Sequence, residues 1–265
     1  MAPEAKCTLT PLFNKIMSMR KVAVFILILS LTAIGSAEEL EGNYLYKVTT
    51  IRAATGALAE LLDWEAQLKA SEYFDDAGQE QPLLMRHSQG DQWDLLVIVP
   101  MQSWGGYHSD AAAQKRSNAS AKHAELIADG QNFFAFYEDH FAYGPPWSKL
   151  KNAYAANSFY HIEMFKAAPG KAGELLEQRR MENDYLASTG QTQNMIFRRA
   201  AGSDVDVFTI GFHRSLEAFA APADVTAEEK EQAAIAAGFK GLSDISFYLR
   251  SLISGHHDTL AVKVD

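Results

Sequence analysis

The sequence predicts an α+β fold made of two tandem β-α-β-β-α-β repeats that close on each other as a pseudo-dimer within one chain. Three observations predict it. The stretch Phe159 to Leu176 repeats Leu45 to Leu62 at a shift of 114 residues, so that Tyr46, Ala53, Ala54, Gly56 and Glu60-Leu61-Leu62 underlie Tyr160, Ala167, Ala168, Gly170 and Glu174-Leu175-Leu176. Two turn glycines, Gly90 and Gly202, recur at a shift of 112. The strand segments carry apolar residues in both phases, which is the pattern of a sheet covered on both faces. A repeat of about 110 residues is a duplicated domain, because solenoid periods run from about 20 to 50.

The chain has 265 residues, 48% hydrophobic and 22% charged, the balance of a soluble globular protein with ample core. Residues 1–37 read as an export signal, with Arg20-Lys21 before the apolar run Val22 to Ile34 and Gly35-Ser36-Ala37 at the cleavage point. Met17 or Met19 would make a signal of ordinary length. The expected location is exported, periplasmic or secreted, with no stable membrane insertion once the signal is removed. The single cysteine, Cys7, lies in that segment. The remainder carries 20 basic against 32 acidic residues. A chain so acidic is a poor binder of nucleic acid backbones.

In the first repeat, 44–150, Tyr44 to Ile51 alternates as a strand. Gly56 opens a helical pattern bearing Leu58, Leu61, Leu62 and Leu68, which ends near Gly78. Leu83 to His87 and Trp93 to Val99 form a hairpin over Ser88 to Gln92. Ala111 to Asp129 is helix-compatible. The aromatic run Phe133 to Phe141 is expected to be helical and to stop at Gly144-Pro145-Pro146.

The second repeat, 158–264, runs in parallel. Phe159 to Phe165 is a strand, and Pro169-Gly170 leads into a helix to about Ser188. Met195 to Arg199 and Val205 to Phe212 pair around Gly202. Ala227 to Phe239 and Ile245 to Ser254 are helical, and His257 to Val264 closes the sheet. Phe247-Tyr248 and Gly255 match Phe136-Tyr137 and Gly144 at a shift of 111.

The entry Lys166-Ala-Ala-Pro-Gly-Lys171, followed by Leu175-Leu176, resembles the dimeric α/β-barrel (ferredoxin-like) superfamily over residues 44–264. That group includes antibiotic-biosynthesis-type monooxygenases, NIPSNAP-like proteins, stress-responsive barrel proteins and haem-handling chlorite-dismutase relatives. The first repeat departs from the motif with Thr55-Gly56-Ala57. The resemblance implies a pocket between sheet and helices and a cofactor-independent monooxygenase- or isomerase-like activity on a small apolar or aromatic molecule. No cofactor is expected. Haem, with His108 or His140 as ligand, is the third alternative, after a non-catalytic binding or structural module for a protein partner. The implied assembly is a monomer with an internal pseudo-dimer, open to further oligomers.

His161 and Glu163 lie two apart on one strand and share a face, which suits an acid/base pair. The first repeat has Lys47 and Thr49 there, so one working pocket is expected, in the second half. Arg198 completes the expected catalytic set. Tyr160, His213, Phe136 and Tyr137 are the expected ligand-binding residues. The pairs Arg86/Asp94 and Arg198/Asp206, each centred on its turn glycine, read as cross-strand ion pairs. His256-His257-Asp258 is the tightest cluster of metal-type ligands, but neighbours on a strand point apart, and no metal site is expected.

Overall fold

The computed structural model describes residues 40–264; the expected export signal lies outside them. Eight antiparallel strands close into a barrel: β1 (Tyr44–Ala53), β2 (Leu83–Gln89), β3 (Leu95–Gln102), β4 (Phe134–Gly144), β5 (Phe159–Ala167), β6 (Met195–Ala201), β7 (Val207–His213) and β8 (Ile253–Lys263). Around the barrel the order is β1-β3-β2-β8-β5-β7-β6-β4. The strands of each half are thus contiguous, and the halves join along two seams, β2 with β8 and β4 with β6. Closure removes every free sheet edge.

The helices pack outside. In the first half these are α1 (Leu58–Ala70), α2 (Tyr73–Ala77), α3 (Trp104–Tyr107), α4 (Asp110–Lys122) and α5 (Ala124–Gly130). Helix α6 (Trp147–Ala156) links the halves, and α7 (Ala172–Ser188), α8 (Leu216–Ala220), α9 (Ala227–Ala236) and α10 (Asp244–Leu252) follow. Among the described residues no helix is long and apolar enough to cross a membrane.

Alternation along the strands divides the core. Tyr46 and Val48 of β1, Tyr160, Ile162 and Met164 of β5, and Phe208 and Ile210 of β7 fill the barrel with residues of both halves. The outward residues Ile51, Leu84, Leu95 and Val97 meet Leu61, Trp64 and Leu68 of α1 and Phe74 of α2. The equivalent cluster of the second half is smaller: Phe165, Ile196 and Val207 meet Leu175 of α7 and Leu252 of α10.

Four expectations are corrected. Phe133 to Phe141 is not helical; from Phe134 it is β4, pairing with β1 and β6. Its aromatic residues suit a pleated surface, and barrel closure needs the strand that the helical assignment removed. The match of Phe136-Tyr137 to Phe247-Tyr248 fails with it. Tyr137 stands opposite Ile51 as His256 stands opposite Phe165, so β4 corresponds to β8, and Gly144 does not correspond to Gly255. The first-half helix expected to run toward Gly78 is broken at Ser71, and α2 ends on Gly78 in the left-handed conformation at φ 64°.

The fourth correction concerns the ion pairs. Arg86 registers with Leu95 and Arg198 with Val207, one position off. Asp94 instead accepts the Ala53 amide at 2.8 Å and pairs with Arg52 at 3.4 Å. Asp206 accepts the Ala167 amide at 2.8 Å and pairs with Arg199 at 2.6 Å. The two aspartates do the same work in both halves, tying the hairpin to the end of the first strand.

Candidate functional site

The outer face of β5 under α7 is polar and carries a histidine and a glutamate where the first half has Lys47 and Thr49. His161 and Glu163 project to this face. His161 Nε2 lies 2.7 Å from Asp258 Oδ1 on β8. Glu163 lies deeper. Its Oε2 accepts from Thr209 Oγ1 at 3.2 Å and from Arg179 Nη1 at 3.4 Å. Its Oε1 is 3.5 Å from His256 Nε2, and the His256 ring stacks on Phe165 at 4.7 Å.

Helix α7 supplies the lid of this cluster. Leu175, Gln178, Arg179 and Asn183 recur at helical spacing on its buried stripe. Arg179 is 2% exposed, and its guanidinium is bonded by Glu163, Glu182 and Gln178 and lies 4.6 Å from the Phe165 ring centre. A buried cation of this kind is tolerable only with such partners.

A cavity of about 420 Å³ opens beside the cluster, lined by His161, Glu163, Glu182, Asn194, His213 and Phe219 among others. Gly211 lies beside two of its lining residues, Asn194 and His213. It stands opposite His161, and a Cβ there would come within 2.8 Å of Asn194 Oδ1 and 2.9 Å of His213 Nε2. In the first half the residue opposite Lys47 is Val99. There Lys47 and Thr49 engage Asp139 of β4, at 3.6 Å and 2.5 Å, the position that Asp258 holds on β8. The first half thus keeps the aspartate and places Val99 where the second half has Gly211.

The charges act on one another. Burial works against the His161 cation, but the Asp258 hydrogen bond and the Glu163 and Glu182 charges outweigh it and raise its pKa. Burial likewise opposes the Glu163 carboxylate; His256, Arg179 and His161 overcome it and lower its pKa. The Asp258 carboxyl is lowered by the same His161 bond. Burial raises Glu182, and burial with the nearby His161 lowers His213. Separated acid and base strengths of this sort mark functional sites.

Of the expected residues, His161, Glu163 and His213 meet in this cavity. Arg198 does not; it bonds Asn43 and lies 4.7 Å from the Tyr143 ring. Arg179 is the arginine of the cluster. Tyr160 points into the barrel, stacked on Tyr154 at 5.6 Å. Phe136 and Tyr137 are exposed on β4. The His256-His257-Asp258 run splits: His256 and Asp258 serve this site, while His257 Nδ1 is 3.2 Å from Asp91. The i, i+2 spacing of His256 and Asp258 on a strand beside β5 was the available signal; Arg179 gave none beyond its place on the helix stripe.

His161, Glu163 and Asp258 bring potential metal-ligand atoms within 4.8 Å of one another. An ion there would have to displace the His161–Asp258 and Glu163–Arg179 contacts. Neither expected haem ligand fits a haem. His140 is buried on β4 beside a cavity of about 160 Å³, well under the roughly 300–1,000 Å³ of small-molecule sites, and His108 stacks on Trp104 at 5.9 Å.

No protein-family model matches the sequence, and no curated protein matches it. Solved structures do match. An anthrone oxidase-like protein superposes with a TM-score of 0.52 over 86% of this chain and 94% of its own, at 14% identity. The fold is that of the dimeric α/β barrels. A mutant chlorite dismutase from Candidatus Nitrospira defluvii aligns over 86% of this chain and 95% of its own, at 13% identity and a TM-score of 0.45.

Proposed function

We propose that this chain binds a small, largely apolar or aromatic molecule in the His161 cavity and removes a proton from it, in the manner of a cofactor-independent oxygenase or isomerase. One observation carries the reading. His161 gives Nε2 to Asp258, which among the described residues leaves Nδ1 without a hydrogen bond on a residue that lines a cavity. Asp258 fixes the Nε2–H tautomer and supports the cation that forms, the arrangement that makes an imidazole a general base.

In the reaction the C–H bond beside a carbonyl breaks, its proton passes to His161 Nδ1, and the electron pair remains as an enolate. Return of the proton at another carbon gives isomerisation. Capture of the enolate by dioxygen from solution gives oxygenation. His213, held largely neutral by its lowered pKa, is placed to donate a hydrogen bond to the oxygen. Phe219, 5.0 Å from the His161 ring and 5.2 Å from His213, offers an aromatic wall.

The same proposal takes the chain to be a duplicated pair of ferredoxin-like units, exported and acting as a single pseudo-dimer. The residue repeat at 114, the matching Asp94 and Asp206 contacts and the apolar run before Ala37 support it.

The test is deuterium exchange into anthrone in D2O under argon, followed by NMR. Wild-type protein should accelerate exchange at the ring methylene, which lies across the central ring from the carbonyl and is conjugated with it through the flanking aromatic rings, and His161→Gln should abolish the acceleration. Equal rates for the two proteins would overturn the assignment. A binding protein without turnover is the second reading, favoured by Arg179, whose bonds to Glu163 and Glu182 leave no free cation to hold an oxyanion. Retained ligand with no exchange would select it.

A further inference from the structure

A second cavity, sharing no lining residue with the first, lies where α1, the segment after α2, β2, α6 and the end of β8 converge. Its volume is about 510 Å³, and Glu65, Leu84, Trp147, Lys151, Tyr154 and Lys263 are among its walls. Glu65 is the anomaly. It is 7% exposed, yet among the described residues it makes no ion pair and no hydrogen bond, and burial alone governs its carboxyl, pushing it up to about 7.

The second half shows what a buried charge at this helix position requires. Arg179 follows Glu65 by 114 residues and is surrounded by Glu163, Glu182 and Gln178. Glu65 has no such shell. A carboxyl buried without partners costs stability, and a protein keeps one where a ligand supplies the partner.

The basic groups around the cavity do not supply it. Lys151 is 2.7 Å from Glu80, and Lys263 lies 4.9 Å from the Tyr154 ring centre. Lys69, one turn along α1, is exposed and does not reach Glu65. Asp75 and Glu80 add further negative charge to the lining. Tyr154 donates its hydroxyl to Leu84 O at 2.7 Å and stacks on Tyr160, which fixes it as a wall of the cavity. The cavity therefore pairs a buried acid with Trp147, Tyr154 and Leu84, surfaces that accept an apolar body.

We infer that this cavity is a second binding site, for a small organic cation whose protonated amine pairs with the Glu65 carboxylate while its apolar or aromatic body packs against Trp147, Tyr154 and Leu84. The amine completes for Glu65 what Glu163 and Glu182 complete for Arg179.

The probe is phenethylamine, titrated into the full chain and followed by two-dimensional NMR, with 2-phenylethanol and phenylacetate as neutral and anionic counterparts. Saturable shifts at the Leu84 and Tyr154 amides and the Trp147 indole are expected for the amine, with the two counterparts at least about tenfold weaker. Glu65→Gln, an isosteric change, should weaken the amine at least about tenfold, or 1.4 kcal/mol. Ala155→Phe, on an exposed wall position of α6, should block the site and leave the folded state intact. The inference is overturned by no saturable shift, by equal binding of either counterpart, or by unchanged binding to folded Glu65→Gln. If Glu65→Gln does not fold, wild-type binding by Ala155→Phe overturns it instead.

Discussion

Gly211 stands opposite His161 on the β5–β7 ladder, in the register where Val99 stands opposite Lys47 in the other half. The first half also has a cavity of about 420 Å³, with Gly78, Met101 and Tyr107 among its walls, but Lys47 and Thr49 do not line it. Gly211→Val should close the His161 cavity. A Cβ at 2.8–2.9 Å from Asn194 and His213 must push both aside, so a loss of about 1–3 kcal/mol of stability is expected, with ligand binding reduced by at least about tenfold. Calorimetric binding and denaturant unfolding on the same sample would separate the two effects. Unchanged binding would show that Gly211 does not bound the cavity.

Asp258→Asn should lower the pKa of His161, because the hydrogen bond and charge that raise it are lost. The linkage has a definite sign. A histidine with a raised folded pKa contributes stability at low pH that is lost as pH rises through that pKa. Asp258, lowered by its partner, contributes stability that is lost as pH falls through its own. The pair supports the fold best between the two titrations, and by little, since the Asp258 side chain is 56% exposed. An NMR titration of His161 in the variant that shows no downward shift would contradict the assignment.

Arg179→Met should be costly at neutral pH. It leaves Glu163 and Glu182 buried without their cation, a change worth about 3–5 kcal/mol in comparable buried pairs. Both carboxyls then favour protonation, so the folded variant binds more protons than its unfolded chain, and its deficit should shrink as pH falls toward 5. Urea unfolding at pH 5 and 8 gives the comparison; a deficit independent of pH would exclude the ionic account.

His140 carries the opposite linkage. Burial inside the barrel holds its pKa down at about 4 against an ordinary 6.5, and its Nε2 has no hydrogen-bond partner. The unfolded chain therefore takes up a proton first as pH falls from about 6.5 to about 4, costing up to about 3 kcal/mol. His140→Leu should flatten the stability profile over that window. An unaltered slope there would assign the acid sensitivity to other groups.

Much of the fold was legible because the same turn and strand signals recur at a shift of 112 to 114 residues. The Gly90 and Gly202 turns, the Pro169-Gly170 helix entry and the strand phases all occupy their expected places. The failures share a cause. β4 lacks a strand's plain apolar-polar alternation, since its Phe136 to Glu138 segment is exposed and only His140, Ala142 and Gly144 at its far end are buried. Arg179 and Asp258 escaped for a different reason. Their role exists only once α7 and β8 are laid beside β5; the two-residue spacing of His256 and Asp258 signalled a shared face but not the neighbour it meets. His161 and Glu163 were visible because a strand's two-residue period is local.

The two hairpin glycines carry a wider consequence. A Cβ at Gly90 would meet Asp258 O at 2.2 Å, and one at Gly202 would meet Asp139 O at 2.9 Å, so each hairpin is seated against the last strand of the opposite half. Two separate chains assembled this way would dissociate on dilution and would be bound to remain identical at both contacts. Joined through α6, the halves meet at a fixed local concentration whatever the protein's abundance. One half carries His161 and Glu163 where the other carries Lys47 and Thr49, a difference that a symmetric pair of identical chains could not hold.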